Sequence, residues 1–439
     1  MRQKPPSGLP QPPPKEGAFD SPFGGGGAFA FQPYNSSVFP CPACGHAPTE
    51  VKGTLWQGIH LLADCVCDTC GLDFYHTFPI KHARHFPLAF AKNERQTFVP
   101  PGVGPWLYAP LFDSYYGDHK TSVPIRKIVC REYAKAVILN CLDYLYGHVL
   151  LQLLNAQKHL ETTPDIGLIV IVPKNLAWLV PDGVAEIWEV DAPLPAFKNR
   201  IENLDAFVKG ELTRFEEVYL SEAFIQPDWN AIDISLFTRT EPFDLDHFHQ
   251  KPFQVTFLWR EDRCWLNTKP EDFLWKAAFK LKLIDRINFY FLWRQKRLFV
   301  KTARLIGRQQ AGVRFAVAGI GQRQRFPAFF QDCRQAQPDT VTEQLWCRLY
   351  AESHLVIGVH GSGLLLPSAL AAGFIELLPR HRLDNFGEGT ATNHPNRTQA
   401  FLGRFLDISA KPGLVAAHAV QMLKGFGFFR HVLGSGNGS

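Results

Sequence analysis

Long apolar runs are missing from these 439 residues. No segment approaches the roughly 18–20 consecutive apolar residues needed to span a bilayer. The N-terminus carries no apolar stretch ahead of a small-residue cleavage site. A cytoplasmic protein is expected, either free or held peripherally at the inner face of a membrane. Charge of one sign is also scarce. Against 41 Asp and Glu stand 46 Lys and Arg, a net +5 that by itself argues for no nucleic-acid or membrane partner. Nor is there a secreted disulfide framework. Five of the ten cysteines crowd into residues 41–70; the others, Cys130, Cys141, Cys264, Cys333 and Cys347, are scattered. No internal repeat is found.

Aromatic residues, by contrast, are abundant: 36 Phe and 10 Trp supply ample material for packed cores. The length suggests two large domains and a small module. Residues 1–38 hold "QPPPK" and "FGGGGAF" and read as a disordered Pro/Gly-rich tail, because they cannot bury enough surface to offset their ordering entropy. Residues 434–439, "GSGNGS", read the same way. Between these ends we expect a small cysteine module over 39–80, a connecting segment over 81–129, and two larger domains over 130–250 and 251–433.

Both larger domains show strands alternating with helices. Residues 133–160 are apolar enough for a helix over their second half. "IGLIVIV" (166–172) and "VAEIWEV" (184–190) read as strands. "FQVTFLW" (253–259), "VRFAVAGI" (313–320), "HLVIGV" (354–359) and "FIELLP" (374–379) read as a second series, with a helix over 341–353 and closing helices over 400–433. Such alternation implies parallel sheets covered on both faces, hence an α/β fold of two Rossmann-like domains.

His360-Gly361-Ser362-Gly363 falls where a strand turns into the short helix "LLLPSALAA". Ligands of open parallel sheets bind at that edge. Two glycines allow close approach to the main chain, and free N–H groups at a helix start favour an anion such as phosphate. The histidine can donate to a phosphoryl oxygen or carry a proton. The plainer reading is a tight turn with a strand-capping histidine.

These residues carry a resemblance. "TEQLWCRLYAESHLVIGVHGSGLLLPSALAAGFIELLP" resembles the C-terminal signature of the family 61 glycosyltransferases. Glu343, Gln344, His360, Gly361, Gly363, Leu364, Gly373, Ile375, Glu376 and Pro379 match in order, while Ser362 replaces an alanine and Ala372 the proline of a Pro-Gly pair. "VTFLWREDRCWLN" (255–267) resembles the family's strand and arginine loop, with Arg260, Arg263 and Asn267 on the matching positions. "LYGHVLLQLL" (145–154) resembles its aromatic-x-His segment through His148, with Gln152 where an aspartate is usual.

The resemblance implies a GT-B-type fold, in which two Rossmann-like domains face across a cleft. It implies inverting transfer from a nucleotide-sugar donor to a glycan or lipid-linked acceptor, without a catalytic metal or nucleic acid. A metal-free transferase must stabilise the departing diphosphate with arginines and main-chain N–H groups. Arg260, Arg263, His360, Gly361, Ser362 and Gly363 are the candidates; the arginines otherwise pair with Glu261, Asp262 or another acid. Glu343 and Glu376 are further donor-binding candidates, with structural bracing as the alternative for each. The acceptor proton needs a base. Gln152 cannot serve, which leaves His148, another acid such as Asp143, or a protein that binds sugar nucleotides or glycans without turnover.

Cys41-Pro-Ala-Cys44-Gly and Cys67-Asp-Thr-Cys70-Gly are two Cys-x-x-Cys knuckles. Four thiolates so spaced predict a zinc ribbon with a closed, structural site; Cys65 is left outside it. Ribbons also occur in proteins acting on nucleic acid, a reading the modest charge disfavours. Residues 276–308 hold ten Lys or Arg and one acid, Asp285. Phe279, Leu283, Ile287 and Phe291 recur every four residues, which fits either a basic amphipathic helix on an anionic membrane or a domain helix packed by its apolar face.

Overall fold

The computed structural model describes residues 27–32, 39–47, 49–117, 120–391 and 396–435. They form two compact units. The first takes the described residues up to Tyr144, with Lys158–Pro173 and Gly183–Ile225; the second takes Leu145–Gln157, Lys174–Asp182 and the described residues from Gln226 onward. Segments 145–157 and 174–182, which the linear reading placed with the first sheet, therefore cluster with the second.

In the first unit a six-stranded sheet runs in the order Ala28–Gln32, Glu217–Ser221, Lys135–Asn140, Gly167–Pro173, Glu186–Val190, Ile125–Val129. Its four middle strands are parallel and its edge strands antiparallel. Gly167–Pro173 is buried along its whole length, as an unbroken Leu-Ile-Val run on a two-sided parallel sheet must be. Ala28–Gln32 departs from expectation, since residues 28–32 belong to the segment that reads as disordered. The rest of 1–38 lies outside the described residues, apart from Gly27.

The cysteine region is an antiparallel sheet of five strands, Glu50–Trp56, Leu61–Val66, Asp73–Thr77, Ala89–Ala91 and Thr97–Phe98. It extends past residue 80. It also shares a core with the larger sheet: Phe39, Trp56, Leu61 and Phe74 lie in one buried cluster with Ile138, Ile169 and Trp188. Lys81 reinforces the join. Fully buried, its Nζ donates to the carbonyl oxygens of Ile59 (3.0 Å) and Leu142 (2.8 Å). Burial lowers its pKa to about 8, against the opposing charge of Asp143.

The second unit is built on six parallel strands in the order Phe330–Asp332, Arg314–Gly319, Gln254–Trp259, Leu355–Val359, Phe374–Leu378, Gly403–Asp407. Numbered along the chain this is 3-2-1-4-5-6, the doubly wound nucleotide-binding order. Helices Lys269–Lys280, Ile284–Gln309, Thr340–Ala351 and Pro412–Ser435 accompany it. One expected closing helix is corrected here: residues 403–407 form the sixth strand, and a single helix follows.

Replacing Lys81 with Met removes the donor to two buried carbonyls and the positive charge beside Asp143. A loss of about 3 kcal/mol or more is expected in denaturant unfolding of the full chain. A loss below about 1 kcal/mol would show that the lysine does not tie the two sheets.

Candidate functional site

The order 3-2-1-4-5-6 has a switch point between Gln254–Trp259 and Leu355–Val359, where successive crossovers leave in opposite directions. Arg260 and Arg263 follow the first of these strands, and His360-Gly361-Ser362-Gly363 follows the second. Their carboxyl ends lie together because the strands are parallel neighbours.

At that edge a close packing is observed. A Cβ built on Gly361 would sit 2.6 Å from Nη1 of Arg260 and 2.7 Å from Nη1 of Arg263. Gly361 also has φ of +136°. Only glycine satisfies both conditions. Arg260 grips Asp262 through Nε to Oδ1 (2.9 Å) and Nη2 to Oδ2 (2.6 Å). Arg263 donates from Nη1 to the carbonyl oxygen of His360 at 3.0 Å. Burial, followed by repulsion from Arg260, lowers the pKa of Arg263, and Arg382 adds to that repulsion. Burial would raise Asp262, but the hydrogen bond and charge of Arg260 hold it below its ordinary value. His381 is lowered by burial and then by Arg382. Two guanidinium groups, Arg260 and Arg263, thus share one carboxylate, with the charge of Arg382 felt by Arg263.

His360 is buried and bonds through Nδ1 to Oε1 of Glu376, which has no solvent exposure. An ionised carboxylate only accepts, so a proton on Nδ1 points at Glu376, and Nε2 is the ring nitrogen that this bond does not use. Glu376 Oε2 is buried without a hydrogen-bond partner among the described residues. The loop at Gly389 closes over this carboxylate; a Cβ there would meet Glu376 Oε1 at 3.2 Å and the Gly361 nitrogen at 3.3 Å. Glu376 is therefore the partner of His360 and is sealed from solvent.

The helix after the turn is shorter than a phosphate-binding helix needs. A 3-10 turn, Ser362–Leu364, leads into the six residues Leu365–Leu370. Positive charge at this edge resides mainly in the guanidinium groups.

Helix Tyr146–Leu153 packs directly on the turn. A Cβ on Gly147 would lie 2.5 Å from Cβ of Ser362. The close approach explains a glycine between Tyr146 and His148, and a small residue at 362. His148 is half-buried, one residue from this contact. Gln152 is fully buried, so an aspartate at that position would be equally enclosed. Asp143 is buried in the first unit, close enough to Lys81 to support its charge. Asn267 accepts from Arg294 Nη2 at 3.2 Å, bracing a helix rather than the arginine edge.

Glu343 accepts from Trp178 Nε1 at 2.9 Å. Burial raises its pKa to about 7, and the same carboxylate helps push the Tyr146 phenol well above its usual range, after burial. Trp178, Gly147, Arg382 and Gly389 are the residues that sequence reasoning missed, while Tyr146 entered it only as the aromatic of the aromatic-x-His segment. Gly147 alone had a local signal, a glycine inside a helical pattern.

In the first unit Cys41, Cys44, Cys67 and Cys70 converge, their sulfurs all within 4.8 Å of one another. Cys41 and Cys70 sulfurs stand 3.6 Å apart, as do those of Cys44 and Cys67. This is far beyond a disulfide and close to the roughly 3.8 Å edge of a tetrahedron with 2.3 Å metal–sulfur bonds. The two knuckles are alike. Gly45 donates to the Cys41 carbonyl and Gly71 to that of Cys67, at 2.9 and 2.8 Å, with φ of +73° and +70°. The four cysteines are compatible with a structural zinc ion.

No protein-family model matches the chain. None of the curated proteins matches it either. Among solved structures it is similar to one titled "Crystal structure of GtfA/B complex", with a TM-score of 0.21 and 11% identity over 86% of this chain and 74% of that one. A likeness of that size carries no weight for fold or activity.

One expectation follows from Glu343. Its raised pKa means that the folded state holds a proton the unfolded state has released between about 4.5 and 7. Stability therefore falls as pH rises through that window. Glu343→Gln should remove the slope and be the more stable protein at pH 8, by at most about 3 kcal/mol. Melting curves at pH 5 and pH 8 check it; parallel shifts in both proteins would refute it.

Proposed function

We propose that the protein is an inverting glycosyltransferase that draws on a nucleotide-sugar donor bound by the second unit, in surface polysaccharide or glycan synthesis. The observation that carries this reading is the meeting of Arg260, Arg263 and Gly361 at the switch point of a 3-2-1-4-5-6 sheet. A diphosphate seated there is held by Arg260 and Arg263. The Ser362 and Gly363 main chain lies close by, and His360 Nε2 is turned to the ligand by the Nδ1–Glu376 bond. As the acceptor oxygen attacks the anomeric carbon from the opposite face, the bond to the diphosphate breaks, and the guanidinium groups stabilise the charge that develops on it. The acceptor proton goes to His148, whose helix is fixed to the same turn through Gly147. The resemblance to family 61 brings with it a GT-B-type arrangement, an acceptor held by the first unit, and a cytoplasmic site of action. Glu343 braces this machinery through Trp178 and need not touch the donor.

The cysteine cluster is proposed to hold one zinc ion. Bound there, zinc would cross-link the two knuckles; it has no part in the transfer. Cys41 and Cys67 belong to the core that both sheets of the first unit share, so the metal supports that unit's folding.

Two measurements test these readings. Titration calorimetry with a panel of nucleoside diphosphates should find one that binds, and Arg260→Ala, Arg263→Ala and Gly361→Ala should each weaken it about tenfold or more. Unchanged affinity in all three would remove the site. His148→Ala should keep the affinity and abolish donor turnover; binding without turnover in the unaltered protein would instead identify a sugar-nucleotide-binding protein. For the metal, elemental analysis should give one zinc per chain, lost in Cys67→Ser together with a lower melting temperature. Metal-free protein with the same melting temperature would refute it.

A further inference from the structure

The basic stretch 276–308 resolves into a helical hairpin whose exposed face differs from the expected one. Phe291 is fully buried and Ile287 packs on the core of the second unit. The face that the four-residue spacing marks therefore goes inward over its C-terminal half. Turned outward is another set. Phe273, Phe279, Leu281 and Phe289 are 75%, 70%, 66% and 65% exposed, and Leu274 and Leu283 join them. All lie on helix Lys269–Lys280, on the turn 281–283, or on the first turns of helix Ile284–Gln309.

Charge surrounds this apolar edge. Lys276, Lys280, Lys282 and Arg286 are interleaved with it, all exposed. Along the long helix the outward stripe changes character. At about 100° per residue, Phe289, Tyr290 and Trp293 fall on the same arc, roughly 120° wide, as Arg297, Lys301, Arg304 and Arg308. The basic half opens on a groove of about 780 Å³, and seven of the fourteen residues lining it are Lys or Arg, with no acid. Among the described residues the ion pair made by these seven is Arg294 with Glu271.

We propose that this hairpin docks the protein on an anionic lipid bilayer, with the Phe and Leu edge entering the acyl boundary and the arginine groove lying on the headgroups. The chemistry is that of an interfacial helix: apolar and aromatic side chains flanked by Lys and Arg. No described helix is long and apolar enough to cross a membrane, so the contact is peripheral. Besides the buried Glu271, the hairpin also carries two acids, Asp272, which pairs with Lys276 at 2.6 Å, and the exposed Asp285, but the basic side chains outnumber them. Single-stranded RNA could stack on the exposed rings but would leave the leucines Leu274, Leu281 and Leu283 unused, whereas an acyl boundary takes rings and leucines alike. The proposal stands apart from the transfer chemistry and holds whatever reaction the switch-point site performs.

Sedimentation of the full chain with vesicles of phosphatidylcholine, with and without phosphatidylglycerol, tests it. Binding should require phosphatidylglycerol and weaken as salt is raised. Phe279→Ser with Phe289→Ser, and separately Arg297→Gln with Lys301→Gln and Arg304→Gln, should each cut the partition coefficient about tenfold or more. All five positions are on the surface, and unchanged melting temperatures would confirm folding. No binding to anionic vesicles, equal binding to neutral ones, or variants that bind like the parent would overturn the proposal. So would a dimer abolished by the Phe substitutions, or retention of an RNA oligonucleotide, in protein that ignores vesicles.

Discussion

Everything at the candidate site depends on two like charges brought against one glycine. Nη1 of Arg260 and Nη1 of Arg263 both stand within 3 Å of the point where a Gly361 side chain would begin. The two atoms are thus roughly 5 Å apart or closer, a repulsion of about 3 kcal/mol at an effective dielectric of about 20. Asp262 offsets part of this by binding Arg260 at both oxygens, and the His360 carbonyl takes a hydrogen from Arg263. One carboxylate for two guanidinium groups, with Arg382 nearby, leaves positive charge over. Under the proposed reading a diphosphate would complete the arrangement where a further acid would otherwise be needed, at the sheet edge where ligands of such folds bind.

The turn that receives the arginines is itself held from two sides. Below it, Glu376 is buried within a parallel strand, where an ionised carboxylate is costly unless partnered. Its partner is His360, and the bond orients the ring. Above it, Gly147 lets the backbone of helix Tyr146–Leu153 come down onto Ser362. A larger residue at 147 or 362 would lift the helix and carry His148 with it. Ser362, where the family that the motif resembles has alanine, adds only a hydroxyl to a position that admits little more.

Much of the second sheet was legible in the chain, because buried parallel strands demand Val, Ile and Leu on both faces and "LVIGV" and "QVTFLW" supply them. Gly403–Asp407 escaped because an edge strand with half-exposed residues carries no such run. Ala28–Gln32 escaped for another reason: five residues of strand are submerged in the composition of a proline- and glycine-rich segment. The cysteine knuckles were fully legible, since their geometry is local. Trp178, Arg382 and Gly389 were not, since each reaches the site through folding over long sequence separations. The same limit governs residues 276–308, where spacing marks a helical face without saying which side of it the sheet will cover.

The position of the cysteine sheet bears on what it is for. A ribbon that recruits a partner can sit apart on a linker, with its own small core. Here Cys41, Cys65 and Cys67 are buried among the same side chains as Ile138 and Ile169 of the large sheet. Trp56 N–H donates to Asp205 on helix Leu204–Leu212 at 2.9 Å. Lys81 binds the carbonyls of Ile59, in a turn of the cysteine sheet, and of Leu142, just beyond a strand of the large sheet. Loosening the knuckles would open the core of the parallel sheet itself. Four thiols so placed are in position to fasten the unit that carries them, which is the role proposed for a zinc ion there.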